Sequence, residues 1–282
     1  MLLRIPLPLS ALTLKFIRRS CVVYCLCLAS AFASEYPNLS DSDKAWIGQQ
    51  IFNNECAARI ACLGSWNAAE EFPSLGIGHF IWYRAGQREI FDESFPALMR
   101  YFESQGITIP AWIVTANYAA PWQNRQDFLE QQQAEELTQL RELLASTMTE
   151  QTEFIIQRFE ASLNKILAAS LVDEREDITS KFYAIANAHP PYGMYALIDY
   201  INFKGEGIVE TERYAGQGWG LLQVLQGMPG QTQTLDAFVD SARQTLQQRV
   251  NNAPVARNEG QWLAGWNKRL DSYLPALPVQ EN

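Results

Sequence analysis

The chain has 282 residues, 22 Lys plus Arg and 31 Asp plus Glu, for a net charge of −9. Hydrophobic residues make up 48% and aromatics 12%, enough for a packed core, which excludes a disordered chain. The acidic balance argues against nucleic acid, whose binding rests on phosphate neutralisation.

Residues 1–33 read as a secretory signal. Arg4, Lys15, Arg18 and Arg19 form a basic start without an acid, and Cys21–Ala33 is apolar apart from Ser30. That run is too short to span a bilayer, and Ala31-Phe32-Ala33 supplies a cleavage site before Ser34. Cleavage leaves 18 bases against 31 acids, a net charge of −13. The expected location is the periplasm or outside the cell, with no stable membrane span after cleavage. Residues 34–282 read as one domain, without internal repeat or low-complexity linker.

Ser40 or Asp41 caps a first helix, and Ala45, Trp46, Ile47, Ile51 and Phe52 follow helical spacing up to about Glu55. Cys56 and Cys62 remain after cleavage, an even pair in an oxidising compartment. On a continuous helix they would stand about 9 Å apart by rise alone, too far to bridge. A disulfide therefore requires the helix to end between Glu55 and Ala58; otherwise both are free thiols. The only histidines are His79 and His189, and the cysteine spacing is not metal-like, so neither a metal nor a cofactor is expected.

Gly64, Ser65 and Asn67 mark a loop, and Phe72–Tyr83 reads as strand, with Gly76 and Gly78 permitting close backbone approach. Arg84–Gln87 is a turn, Ser94–Glu103 a helix, and Gly106–Tyr118 irregular. Gln126–Ala169 reads as two helices broken near Ser146–Thr149. Thr179–Ala188 is helical, and His189-Pro190-Pro191-Tyr192-Gly193 is a firm break. A short apolar helix over Met194–Asn202 precedes a turn at Lys204–Gly207. Helices over Thr234–Gln248 and Glu259–Tyr273 close the chain. The fold class is mainly α (α+β), with one small hairpin.

Two stretches carry chemistry. Glu55 lies at a helix end among apolar neighbours, where burial raises a carboxyl pKa and suits a proton donor. Ser74-Leu75-Gly76-Ile77-Gly78-His79 follows. Together they resemble the active-site region of phage-type lysozymes, where a helix ends in a catalytic Glu and a hairpin carries a Thr-led T-[IL]-G-x-G-H run. Here Ser74 replaces the Thr, and the spacing from Glu55 is several residues longer. Ala68 stands where that family has its Asp, six residues before the Thr; Glu70 and Glu71 lie nearby, and Glu71 is the preferred second carboxylate. The resemblance covers some 30 residues. It implies a lysozyme-like fold, a glycan polymer substrate such as peptidoglycan, Glu55 as general acid, and Glu71 or Ser74 positioning water.

The second stretch, Tyr200–Val224, contains Gly220-Leu221-Leu222-Gln223, which resembles the G-L-M-Q run of lytic transglycosylases. Those enzymes use a single Glu and act without water. Here the stretch is read as a second cleft wall, with His79, Asn202, Glu206, Tyr214 and Gln223 as sugar contacts. Three readings follow: a peptidoglycan glycosidase, a lytic transglycosylase using one Glu, and a glycan-binding protein without activity.

Overall fold

Ser40 starts the first helix by exchanging two hydrogen bonds with Asp43. Ser40 Oγ accepts from the Asp43 N–H at 3.2 Å, and Asp43 Oδ2 accepts from the Ser40 N–H at 2.9 Å. Helix α1 then runs Asp41–Cys56. The computed structural model describes residues 36–276 apart from 69, 90, 211 and 231. The signal reading over 1–33 lies outside the described residues. The described residues belong to the compact unit Ser34–Asn282.

Helix α1 stops because Ala57 and Ala58 turn left-handed, with φ of 48° and 56°. The chain folds back, and Cys56 and Cys62 are joined as a disulfide with their Cα atoms 5.4 Å apart. A single 3-10 turn, Ile60–Leu63, leads into a three-stranded antiparallel sheet: β1 Gly64–Ser65, β2 Ser74–Leu75 and β3 Phe80–Ile81. Ser74 pairs with Ser65 on one side and Ile81 on the other. The expected strand over Phe72–Tyr83 is therefore two short strands. Gly76 at φ +68° and His79 at φ +48° break it into a tight turn.

Helices follow: α2 Phe95–Ser104, α3 Ala111–Thr115, α4 Arg125–Glu130, α5 Glu135–Ser146, α6 Met148–Glu160 and α7 Ser162–Ala169. Helix α3 occupies the stretch expected to be irregular. The two helices expected over Gln126–Ala169 are four. Thr147 breaks α5 from α6 as expected, but two further breaks fall at 131–134 and at Ala161. Neither carries a Pro or Gly, and Ala161 keeps right-handed helical angles, so nothing in the local sequence punctuates that bend.

Helix α8 spans Arg175–Ala186, and a turn with a cis Pro190–Pro191 bond delivers α9, Tyr192–Lys204. A hairpin of β4 Arg213–Tyr214 and β5 Gln217–Gly218 follows, then α10 Leu221–Gly227, α11 Leu235–Asn252 and α12 Leu263–Asp271. Helix α9 is buried continuously from Gly193 to Tyr200, with α6, α8 and α10 packed on it. A helix apolar on all sides can only sit at the centre. Helix α1 packs on α6, and α11 on α10 and α12. Among the described residues the fold is thus mainly α, with two small antiparallel sheets. Among the described residues, no helix is long and apolar enough to cross a membrane.

Candidate functional site

Glu55 is the penultimate residue of α1, and its side chain is 12% exposed. Three elements distant in sequence converge on its carboxylate. Arg269 of α12 donates to Oε1 at 2.6 Å, and Asn202 of α9 donates to the same oxygen at 3.3 Å. His79, from the β2–β3 turn, places Nδ1 3.1 Å from Oε2. Burial alone would push this carboxyl up, as the sequence suggested. The Arg269 guanidinium and then His79 outweigh burial and hold it down to about 2. The expectation of a protonated Glu55 is thereby corrected: at neutral pH it is a carboxylate.

Arg269 is itself held from behind. It donates to both oxygens of Asp199, at 2.7 and 2.8 Å. Asp199 has no exposure and also accepts from Tyr273 Oη at 2.6 Å. The guanidinium carbon lies 4.2 Å from the centre of the Phe203 ring. Burial would lower the Arg269 pKa, but Asp199 and Glu55 drive it well above its ordinary value. Two buried carboxylates thus share one buried cation.

The turn that presents His79 is fixed by Gln151 of α6, which is fully buried. Its Oε1 accepts from the Ile77 N–H at 2.9 Å, and its Nε2 donates to the Leu144 carbonyl at 2.6 Å. On its other ring edge, His79 Nε2 lies 3.7 Å from Cys62 Sγ and 4.0 Å from Cys56 Sγ.

Ser74 is buried on β2, and its hydroxyl donates to Glu70 Oε2 at 3.3 Å. Glu71, the preferred second carboxylate, is exposed instead. Trp66 Nε1 donates to the Glu70 carbonyl at 2.8 Å and ties that residue to the sheet. Burial raises the Glu70 carboxyl above its ordinary value, and Ser74 and His79 only partly oppose it.

His79, Asn202 and Glu206 line one polar cleft of about 190 Å³, together with Asp92, Arg158 and Lys165. Glu206 Oε1 accepts from Ser162 Oγ at 2.8 Å and from Lys165 Nζ at 2.9 Å. Tyr214 and Gln223 are not among the residues lining this cleft. Tyr214 donates to Glu259 at 2.9 Å. Gln223 bonds the Gly220 N–H and the Gly207 carbonyl, each at 2.9 Å, and faces a separate cavity of about 360 Å³.

Sequence reasoning missed Arg269, Asp199, Tyr273 and Gln151. Asp199 carried a usable signal. It is the one charged residue in the run Tyr192–Phe203, and an acid on an apolar helix requires a buried cation. Arg269 had no such mark. The arrangement offers a fixed carboxylate, a second carboxyl of higher pKa, and hydrogen-bonding groups along the cleft. No family model, curated protein or solved structure matches this chain.

Proposed function

We propose that the chain is an exported glycosidase of lysozyme-like fold that cleaves the glycan strands of peptidoglycan. The observation that carries this reading is the meeting of Glu55, at the end of α1, with His79 of the β2–β3 turn, beside a polar cleft. That layout agrees with the resemblance in the sequence between Glu55 and His79.

The electrostatics reassign the roles. Glycoside cleavage needs one carboxyl that gives a proton and one carboxylate that stays charged beside the oxocarbenium-like centre. Environments that push two pKa values apart mark which is which. Glu55, held down to about 2, is the charged partner, whereas Glu70, raised by burial, is the proton donor. His79 sits within electrostatic reach of both. Asn202 and Glu206 supply hydrogen bonds to sugar amides and hydroxyls.

A specific observation favours a second reading, a glycan-binding protein without activity. Both Glu55 oxygens already have partners, Oε1 in Arg269 and Asn202, Oε2 in His79. Digestion of purified peptidoglycan by residues 34–282, read by mass spectrometry, separates the readings. Reducing-end muropeptides from wild type, absent with Glu55→Gln and with Glu70→Gln, support the glycosidase. Anhydro-sugar products shift the assignment to a lytic transglycosylase. Binding without products leaves the glycan-binding reading.

A further inference from the structure

The sequence placed no metal in this chain, because its two histidines and two remaining cysteines lack ligand spacing. The fold changes the count of donors at one point. The left-handed turn at Ala57 and Ala58 brings Cys62 back to Cys56, and the β2–β3 turn sets His79 Nε2 beside both sulfurs. The two Sγ atoms and one imidazole nitrogen lie within 4.8 Å of one another. Nε2 is 3.7 Å from one sulfur and 4.0 Å from the other.

These separations suit a tetrahedral ion. Zinc takes sulfur at about 2.3 Å and imidazole nitrogen at about 2.0 Å, which sets sulfur and nitrogen about 3.5 Å apart. The other ring nitrogen is already supported. Nδ1 lies 3.1 Å from Glu55 Oε2, the carboxylate–imidazole pairing that orients a metal-binding histidine and fixes its tautomer. Cys62 and His79 are half-buried, so an ion and a reductant can reach them. Among the described residues, Nε2 meets no other hydrogen-bonding partner than the two sulfurs.

We infer that the dithiol form of this chain binds one zinc-class divalent cation through Cys56, Cys62 and His79, with Glu55 as the positioning carboxylate behind the ring. The disulfide and the metal site are alternative states of one pair of sulfurs. Opening the site takes two electrons. With a trialkylphosphine and water, phosphorus is oxidised to the phosphine oxide, the S–S bond breaks, and water's two protons go to the two sulfurs. Metal binding then releases both thiol protons, and the fourth position remains for water.

The test uses residues 34–282, reduced with a trialkylphosphine, freed of reductant without oxygen, and titrated with Co²⁺ and then Zn²⁺. The expected result is one Co²⁺ per chain with thiolate charge-transfer and tetrahedral d–d absorption, displaced by one Zn²⁺. The oxidised chain shows neither band. Glu55→Gln weakens binding by about 10-fold to 100-fold, and His79→Gln by more than about 100-fold. Equal affinity in wild type and His79→Gln overturns the inference, as does absence of the bands. Melting of the reduced chain with and without Zn²⁺ guards against simple unfolding. Zinc must raise the melting temperature of wild type but not of Cys56→Ser/Cys62→Ser. A reduced chain that stays unfolded with zinc also overturns the site.

Discussion

At the scale of single residues, the site depends on one cation held between two buried acids. Arg269 reaches Glu55 across 214 positions of sequence, so no local spacing could reveal it. Glu55, His79 and Asn202 were legible, because each sits in a stretch with its own pattern. Their charge state was not, because it depends on Arg269. Replacing Arg269 with Met leaves Glu55 and Asp199 buried without their shared cation. Breaking a buried pair on one side costs about 3–5 kcal/mol. Urea unfolding at pH 7 should show that loss for Arg269→Met. In the variant, the burial of Glu55 is no longer opposed by the guanidinium, so its carboxyl moves up from about 2. The deficit should therefore shrink as pH falls toward 4 and Glu55 takes up a proton. A deficit independent of pH would mean lost packing on Phe203 rather than uncompensated charge. Glu55→Gln should cost less, because Arg269 keeps both bonds to Asp199.

At the scale of elements, helices were legible where caps and periodicity agreed, as at Ser40 and α1. They were illegible where tertiary packing sets the break, as at Ala161. The β2–β3 turn is the clearest case. Its glycines were visible, but its anchor lies on α6. Gln151 satisfies the Ile77 N–H and the Leu144 carbonyl inside the core. Gln151→Leu leaves both without their partner and should cost about 2–4 kcal/mol in urea unfolding. It should also broaden or shift the His79 ring resonances, since that turn aims the ring.

The α1–α6 contact offers a compensating pair. A methyl group on Gly48 would clash with Thr152 Oγ1. Gly48→Ala alone should therefore lower stability by about 1–3 kcal/mol despite its better helix propensity. Adding Thr152→Ala removes the clashing oxygen, and the double variant should recover most of that loss in thermal melts. Failure to recover would place the tightness elsewhere in the α1–α6 interface.

At the scale of the whole molecule, acidity was legible from composition, but the direction of its pH response was not. A chain of net charge −9 repels itself near neutrality, and protonation relieves that repulsion. Glu70, Glu93 and Glu212 are all raised chiefly by burial. A carboxyl whose folded pKa exceeds its unfolded value binds protons preferentially in the folded state, so these three favour folding as pH falls from 7 towards 5. Glu55 and Glu259 act in the opposite sense, because arginines hold both below the usual range despite burial. Their contribution is complete above the unfolded pKa and fades as pH falls through the folded one. For Glu55, the drop from 4.5 to about 2 corresponds to about 3 kcal/mol, lost between those two pH values. Stability should therefore rise from pH 7 to a maximum near 5 and fall steeply below 4.5. Urea midpoints at closely spaced pH values between 7 and 2 would trace both limbs. Glu55→Gln should keep the rise toward pH 5 and flatten the fall below 4.5, because the titrating group is gone. An acid limb as steep in Glu55→Gln as in wild type would assign acid sensitivity to Glu259 and its arginines. The ionised state of Glu55, and the division of roles with Glu70, would then have to be given up.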